Sequence, residues 1–307
     1  MNSTCLQTLD FQRVQAADFA KIIPFFQGKG LIAAEYSALY IFMWGGYLGI
    51  EYAISEDVLF LRRNNRFGVS YYPPMAMGRP IVETISALSH LGGDTVRLCG
   101  VPAHLMDEVE SAVTVLEKGT SRRWADYIYS AEELATLAGK KFSKKRNLVH
   151  QFEKLYAGYS FSPLTADNLA AALAFMHDFM ASGELTEDEV DENRLVLSVL
   201  ENWASLPVIG GVLTVAGEIA ALTVGEIVDD VLYVHIEKAN RAYKGAYQAV
   251  NHLFARECYE KMGVRLINRE DDTGDEGLRQ AKLSYNPVDI LHKYHMVIKN
   301  DFSGGGV

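Results

Sequence analysis

The chain has 307 residues, of which 49% are hydrophobic, and it carries a formal net charge of −10. This length allows one large domain or two of ordinary size, and the composition allows a sizeable core. The acidic balance argues against a protein whose main partner is nucleic acid, although a local basic patch can still exist.

The three cysteines, Cys5, Cys99 and Cys258, are far apart and odd in number. No metal-ligand spacing accompanies them, so we expect reduced thiols, a cytoplasmic location and no metal site. The amino-terminal residues lack the basic and apolar stretches of a signal peptide. The longest uncharged run, residues 36–50, is shorter than the roughly 20 residues of a membrane span, so no integral membrane segment is expected.

In the first half of the chain, β-type and helical patterns alternate in a definite order. A short β-type start leads into a helix over residues 11–26. Three strand candidates, one helical stretch and a final strand then follow, at residues 47–54, 58–62, 67–72, 80–91 and 96–99.

The second half repeats this order. Its β-type start and helix lie at residues 161–176, and its later elements are predicted at residues 208–215, 219–228, 231–236, 243–262 and 264–267. The repeat predicts a mixed α/β protein with two domains, at residues 1–157 and 158–300, and a disordered tail at 301–307.

The junction between strand and helix at residues 236–246 is the candidate anion site. A strand that ends where a helix begins leaves free N–H groups and the positive end of the helix dipole pointing outward. We therefore expect the amides of residues 240–246 to hold a phosphate or pyrophosphate. The predicted cofactor-binding residues are His235, Ile236, Lys238, Asn240, Arg241, Lys244, Gly245, Ala246 and Tyr247.

The matching strand end of the first half contains Pro73, Pro74 and Pro80, which lack N–H donors. We therefore expect only the second domain to bind a donor. The first domain is then a scaffold or a wall on the acceptor side.

Basic residues crowd a short helical segment of this acidic chain. Lys144, Lys145 and Arg146 are candidate substrate-binding residues, because such a cluster can hold a polyphosphate or an RNA end. A solvated helix face is the alternative interpretation.

Glu237 is the first candidate for catalysis. His235 and Glu237 alternate on a predicted strand, which places both side chains on one face. A buried Glu237 with a raised pKa could accept a proton from an incoming amine. A salt bridge with Lys238 or Lys244 is the alternative.

A polar loop follows the strand at residues 264–267. Asp271 is a candidate for orienting an amine, and Tyr285 is a candidate proton donor to a leaving group. The predicted substrate-binding residues here are Asn268, Arg269, Glu270, Asp272 and Lys282. The alternatives are helix capping, loop solvation and a packed tyrosine, while Tyr243 and Tyr247 compete for the role of proton donor.

Three segments carry a family resemblance: GKKFSKKRNLVHQF, VHIEKANRAYKGAYQAVN and INREDDTGDEGLRQAKLSYNP. With them the chain resembles the soluble C-terminal domain of phosphatidylglycerol lysyltransferases, a tandem pair of GNAT-like folds. The loop at Arg241 also resembles the GNAT acyl-CoA pattern Q/R-x-x-G-x-G/A, with one more residue before Gly245.

This resemblance implies two tandem GNAT-like acyltransferase domains and transfer of an acyl or aminoacyl group to an amine or hydroxyl acceptor. Acyl-CoA and aminoacyl-tRNA remain alternative donors, and the acceptor is open. The alternative function is a non-catalytic module that binds CoA or a nucleotide.

Overall fold

The computed structural model describes residues 9–91, 93–181 and 186–302. Cys5 and residues 303–307 of the predicted tail lie outside these ranges. Chain contacts form two compact units, one of Met1–Ala125 with Leu291–Val307 and one of Asp126–Ile290.

The described residues form ten α-helices and fourteen strands. The helices are α1 (Phe19–Ile22), α2 (Ala38–Leu48), α3 (Ile81–Thr84), α4 (Met106–Ala112), α5 (Ala131–Thr136), α6 (Ser143–Leu155), α7 (Ala166–Ala181), α8 (Glu187–Glu201), α9 (Ala246–Met262) and α10 (Glu276–Leu283). The strands are β1 (Ile50–Ser55), β2 (Val58–Asn65), β3 (Gly68–Tyr71), β4 (Met75–Ala76), β5 (Thr95–Pro102), β6 (Val115–Thr120), β7 (Asp126–Ser130), β8 (Ser160–Pro163), β9 (Ile209–Val215), β10 (Glu218–Val228), β11 (Val231–Ala239), β12 (Leu266–Asn268), β13 (Asp289–Leu291) and β14 (Lys293–Lys299).

The two units divide between Ala125 and Asp126 and between Ile290 and Leu291. The predicted domain boundary between residues 157 and 158 therefore falls inside the second unit. The physical reason lies in α6. Its residue Phe152 is fully buried in one apolar cluster with Ala246, Ala249 and Val250 of α9. The basic helix therefore belongs to the second unit, although its sequence precedes the predicted boundary.

The first unit contains a sheet with the strand order β1-β2-β3-β5-β14-β6, and β4 lies beside β2. The hairpin of β1 and β2 turns through Glu56 and Asp57, whose positive φ angles of 50° and 64° suit a two-residue turn. Strands β3 and β5 are parallel and share one registered pair, Tyr71 with Leu98.

The second sheet has the order β13-β7-β12-β11-β10-β9-β8. Strands β8 to β11 form an antiparallel meander, and β12 then joins β11 in parallel. A parallel neighbour needs a crossover connection, which α9 supplies. The predicted mixed α/β class is confirmed, and the described residues form two mixed sheets.

Helix α9 covers the second sheet with its apolar face. Leu232 and Val234 of β11 share a buried cluster with Phe254 and Cys258 of α9. The helix ends at Gly263, whose φ of 73° is the left-handed conformation typical of a helix end. Cys258 is fully buried and not disulfide-bonded, and it packs in this core, as its position on the apolar stripe predicts.

In the described part of the chain, we find no α-helix whose length and hydropathy would suffice for a membrane span.

Candidate functional site

Strands β11 and β12 part near the middle of the second sheet. Their parallel pairing covers three residue pairs and ends at Tyr233 with Asn268, whereas β11 continues to Ala239. Beyond this point the chain after β12 stays with β7, because the amide of Arg269 donates to the carbonyl of Tyr127 at 3.1 Å. A gap therefore opens between β11 and the segment that follows β12.

Two side-chain pairs bridge this gap. Arg269 Nη2 donates to Glu237 Oε1 at 2.9 Å, and Nδ1 of His235 lies 2.7 Å from Oε1 of Glu270. Glu237 is thus in a salt bridge, as the alternative interpretation stated, but its partner is Arg269 and not Lys238. The partner comes from a distant loop, which only the tertiary structure brings close.

A β-bulge interrupts β11 at His235, one of the two residues, His235 and Glu237, that are predicted to share a face with each other. Val234 pairs with Gly225 while Ile236 pairs with Val224, so one extra residue forms a β-bulge at His235. A bulge breaks the alternation of side chains along a strand. The ring of His235 stacks on Tyr233, and Glu237 accepts from Asn251 of α9. The shared face of His235 and Glu237 stays a prediction.

Buried polar atoms surround Glu237. Its second oxygen, Oε2, accepts from Asn251 Nδ2 at 3.1 Å, and Thr223 is its registered neighbour on β10. Three buried atoms around it have no hydrogen-bond partner within the described ranges: Thr223 Oγ1, Asn251 Oδ1 and Arg269 Nη1. Because buried polar atoms are nearly always paired, these three atoms are suited to meet a bound group.

Lys145 and Tyr285 complete this cluster. The Nζ atom of Lys145 lies 3.7 Å from the centre of the Tyr285 ring, and the guanidinium of Arg269 lies 4.9 Å from the same ring. Burial and the nearby Arg269 lower the pKa of Lys145 to about 8, although Glu237 opposes the shift. Burial also raises the pKa of Tyr285, so its hydroxyl stays protonated. We call Glu237, Arg269, Lys145, Asn251 and Tyr285 the gap cluster.

The remaining basic candidates of α6 differ in their surroundings. Arg146 Nη1 donates to the carbonyls of Leu137 and Gly139 and so closes the end of α5. Lys144 is exposed. The predicted substrate role of Arg146 therefore loses its support, because its donors serve a helix end.

The predicted backbone cradle at residues 240–246 is closed, and the expectation that these amides converge on an anion is wrong. Five of the seven amides donate within the chain, namely those of Asn240, Ala242, Tyr243, Lys244 and Ala246. The acceptors are backbone carbonyls, the Asn240 side chain and the hydroxyl of Tyr156. Most amide donors of the turn into α9 are therefore satisfied by acceptors within the chain, three inside the turn and two on β10 and Tyr156.

The backbone conformation of Gly245 and its close packing against α6 both require glycine at this position. Its φ is 88°, and a Cβ atom would lie 2.8 Å from the carbonyl oxygen of Leu148 and 3.1 Å from Cβ of Phe152. Both contacts belong to α6. The side chains of Ile236 and Ala246, also predicted to bind a cofactor, are 1% exposed and belong to the core.

Asp272 anchors the polar loop and is not open to a substrate, contrary to prediction. Its fully buried carboxylate accepts from Arg279 Nε at 2.8 Å and Nη2 at 2.9 Å, from the Tyr127 hydroxyl at 2.6 Å and from the Gly274 amide. Burial alone would raise the pKa of Asp272, but the bonds from Arg279 and Tyr127 hold it well below its ordinary value.

Asn268 and Lys282 also support this loop. Asn268 is fully buried, donates to Asp126 at 2.9 Å and accepts from the amide of Glu270 at 2.6 Å. Lys282 Nζ donates to the carbonyl oxygens of Arg269 and Asp271. The polar atoms of Asn268 and Lys282 therefore stabilise the loop, and the structure gives no support for their predicted contact with substrate. Asp271 accepts from an amide in its own turn, and its catalytic role stays a prediction.

A separate cleft of about 880 Å³ lies in the second unit. It is lined by residues of α7, α8, β10, β11 and the segment that leads from β11 into α9. Four of the predicted cofactor-binding residues line it: Lys238, Asn240, Arg241 and Tyr247. Lys238 follows Glu237 on β11, so neighbouring residues of one strand serve the cleft and the gap cluster.

No group of three or more histidine, cysteine, aspartate or glutamate side chains is placed to hold a metal ion in the described ranges.

Sequence reasoning missed Thr223, Asn251 and Asn193. Asn251 lies on the apolar stripe of α9, next to Val250, and a polar residue at such a core position was the available signal. Asn193 similarly lies in α8 and is 1% exposed. Asn251 also ends one of the three segments that carry the family resemblance, whereas Asn193 lies outside them. For Asn193 the pattern of apolar positions was the only available signal.

Comparison with known proteins shows which family the chain is similar to. The family model described as "Phosphatidylglycerol lysyltransferase, C-terminal" matches residues 31–297. A conserved protein of unknown function from Bacteroides thetaiotaomicron VPI-5482 is 30% identical, with a TM-score of 0.83 over 95% of this chain and 100% of that chain. The search of curated proteins found no match.

Two further solved structures share the fold at lower identity. The C-terminal domain of a putative lysylphosphatidylglycerol synthetase from Agrobacterium fabrum is 11% identical, with a TM-score of 0.63 over 92% of each chain. The structure of L-PGS from Bacillus licheniformis is 15% identical, with a TM-score of 0.60 over 94% of this chain and 93% of that chain. The resemblance stated from the sequence is confirmed: this chain belongs to the family of phosphatidylglycerol lysyltransferase C-terminal domains.

Proposed function

We propose that the protein transfers an aminoacyl group from an activated ester to an amine or hydroxyl acceptor, and that the gap cluster is its active site. The observation that carries this proposal is the parting of β11 and β12 around buried polar atoms without partners. Membership of a lysyltransferase family supports acyl or aminoacyl transfer in general.

In the proposed reaction the acceptor nitrogen or oxygen attacks the carbonyl carbon of the ester. The new bond to carbon forms as the bond to the leaving oxygen breaks, and the acceptor loses one proton. Lys145 is suited to take this proton, since a lysine with a pKa near 8 is partly neutral at physiological pH. Arg269 Nη1 would donate to the oxyanion that develops on the carbonyl.

Glu237 is better suited to hold Arg269 than to act as the predicted base. Both of its oxygens already accept, one from Arg269 and one from Asn251. Tyr285 contacts both Lys145 and Arg269 and stays the candidate for protonating the leaving oxygen. Since Tyr285 is 5% exposed, its hydroxyl would act in a site from which most water is excluded.

The surroundings of the cluster favour aminoacyl-tRNA over acyl-CoA as donor. A CoA pyrophosphate would need the amides of residues 240–246, and five of these seven already donate within the chain. Lys140, in the 3-10 turn before α6, and Lys144, in the first turn of α6, are exposed and could meet an RNA phosphate. Binding of tRNA through them should weaken as salt rises.

The test is a transfer assay with labelled aminoacyl-tRNA or acetyl-CoA and a panel of amines and alcohols. We expect product from aminoacyl-tRNA, and a loss of at least about 100-fold in Lys145→Met, in line with removal of an acid–base group. Lys154→Met is the matched control, because Lys154 is an exposed lysine on the same helix, and it should stay within about twofold of the wild type.

Two outcomes would refute this assignment. Absence of product with either donor, when the protein still binds one of them, would favour the non-catalytic binding module. Unchanged turnover in Lys145→Met would remove the gap cluster as the site.

A further inference from the structure

The cleft beside α7 and α8 has an acidic lining. Its charged residues are four carboxylates and two cations: Asp178, Glu189, Glu192, Glu218, Lys238 and Arg241. Their formal sum is two negative charges. A cleft of one sign concentrates ligands of the opposite sign, so this lining selects for cations.

Some of these charges are already paired. Lys238 Nζ lies 2.6 Å from Glu192, and Glu189 accepts from Thr186 in the cap of α8. Glu218 Oε2 accepts from the hydroxyl of Tyr243 at 3.3 Å. Asp178 forms no hydrogen bond or ion pair with any other residue that the structure describes. Glu192 is in an ion pair with Lys238, and Glu189 is held in the capping box of α8. Asp178 and the Oε1 atom of Glu218 are the carboxylate groups that we assign to a ligand.

Asn193 supplies a second and independent observation. It lines the same cleft, is only 1% exposed, and its Oδ1 atom has no hydrogen-bond partner within the described ranges. An amide oxygen is an acceptor, and a buried acceptor without a hydrogen bond destabilises the folded state. An N–H donor of a ligand would relieve this cost.

Aromatic rings give the cleft an apolar wall. Phe175 and Phe179 of α7 lie with their ring centres 6.1 Å apart, and Nζ of Lys238 lies 5.8 Å from the ring centre of Phe179. Tyr247 joins the lining from the first turn of α9. Such rings suit the alkyl chain of an amine, and their faces attract a cation.

We propose that this cleft binds a small alkylammonium compound as the acceptor of the transfer reaction. Its ammonium group lies between Asp178 and Glu218 and donates to Oδ1 of Asn193, and this group only anchors the compound. A second amine or hydroxyl group of the same compound attacks the carbonyl carbon of the ester and gives its proton to Lys145. The acceptor assignment rests on the proposed transferase function, whereas binding of the cation does not. An anionic acceptor is disfavoured by the sign of the lining.

Calorimetry on the full chain, without any donor, tests this inference. The probes are 1,5-diaminopentane, the neutral 1,5-pentanediol and the anionic glutarate. We expect the diamine to bind at least tenfold more tightly than the other two probes. Equal binding of the diol, or tighter binding of glutarate, would overturn the proposal.

Two double variants, each of which removes two carboxylate charges, test whether the diamine binds in this cleft. Asp178→Asn with Glu218→Gln should weaken diamine binding about fivefold to tenfold, because two exposed carboxylates each contribute modestly. The control, Asp167→Asn with Glu201→Gln, alters exposed carboxylates of α7 and α8 outside the lining and should change binding less than twofold. Equal weakening in both double variants would contradict a specific cleft.

Asn193→Leu tests the buried acceptor. Loss of an unpaired oxygen should leave the melting temperature unchanged or raised, while diamine binding falls severalfold. Melting temperature is the check on folding in this variant, and wild-type affinity in a folded Asn193→Leu protein would remove Asn193 from the site.

Two further measurements separate the inference from the proposed function. Diamine binding without product from any donor would retain the cation site and refute the transferase. Lysinamide carries the same ammonium chemistry as a donor aminoacyl group. If it displaces the diamine and binds tenfold more tightly, the cleft belongs to the donor and the acceptor assignment is overturned.

Discussion

Arg269 donates from Nη2 to Oε1 of Glu237 at 2.9 Å, across the gap where β11 and β12 part. Burial alone would lower the pKa of Arg269, but Glu237 and the tyrosines Tyr129 and Tyr285 raise it, so the guanidinium stays charged. A buried ion pair adds little net stability, because desolvation offsets the attraction. Its value here lies in holding a charged donor at a fixed place in the gap.

Glu237→Ala should destabilise the protein by about 3 kcal/mol, because it leaves the buried Arg269 charge without its partner. Glu257→Ala is the matched control, since Glu257 forms an exposed pair with Lys261 on α9 and should cost less than about 1 kcal/mol. Urea unfolding monitored by circular dichroism measures both. Equal losses would contradict the burial of the Arg269 pair.

The charge state of Lys145 should make stability depend on pH. Its folded-state pKa of about 8 lies below the ordinary value of 10.5, so the unfolded chain binds this proton more tightly. Stability from this group therefore rises as the pH goes from about 8 towards about 10.5. Lys145→Met should remove that rise, and its melting temperature at pH 7 should exceed that of the wild type.

Melting curves at pH 7, 8, 9 and 10 provide the measurement, with Lys154→Met as the exposed control. A control variant that also flattens the profile would show that the pH dependence comes from elsewhere. In the transfer assay, the rate of the wild type should rise up to about pH 8 and then level, and Lys145→Met should lose this profile.

Asp272→Asn tests the anchoring of the polar loop. Because the folded-state pKa of Asp272 is held well below its ordinary value of 3.8, its contribution to stability is present above that pH and is lost as the pH falls further. We expect the variant to lose about 2 kcal/mol at pH 7 and to show a flatter acid-unfolding curve than the wild type.

The matched control is Glu276→Gln, which removes an exposed carboxylate that pairs with the same Arg279. It should cost less than about 1 kcal/mol. An intact fold and a selective loss of substrate binding in Asp272→Asn would instead restore the substrate role that the sequence predicts.

Gly245→Ala should destabilise the protein by about 2–4 kcal/mol. The alanine would have to adopt the left-handed backbone conformation of Gly245, and its Cβ atom would lie too close to the carbonyl oxygen of Leu148. Gly263→Ala has a comparable φ of 73° with nothing within 4 Å of the added Cβ, so it should cost about 1 kcal/mol. Unfolding midpoints compare the two variants. Equal costs would show that α6 does not require glycine at this turn.

Local patterns predicted much of the fold correctly. The strand predicted at residues 219–228 corresponds to β10 at Glu218–Val228, and the helix predicted to end at Met262 does end there. These signals are local, since apolar spacing and a glycine at the helix end act within a few residues. The β-bulge at His235 gave no such signal, because it depends on the register with β10.

The candidate site was predicted only in part. Glu237, Arg269, Lys145 and Tyr285 were all selected from the sequence, but nothing in it showed that they meet. Asp272 and Lys282 were selected by the same criterion, a charged residue in the polar loop. In the structure they instead stabilise this loop, through Arg279 and through the carbonyl oxygen of Arg269. A cluster of polar residues in a loop indicates a functional or structural role. The sequence does not show whether these residues bind a ligand or stabilise the loop.

By itself, the sequence determined the mixed α/β class and the family, since periodicity and long matching segments are properties of the chain alone. The tertiary structure decided which amides of the turn into α9 remain free, which cations are paired, and where β11 and β12 separate. The physical reason is that hydrogen-bond satisfaction and burial depend on partners distant in the chain, such as Glu237 and Arg269.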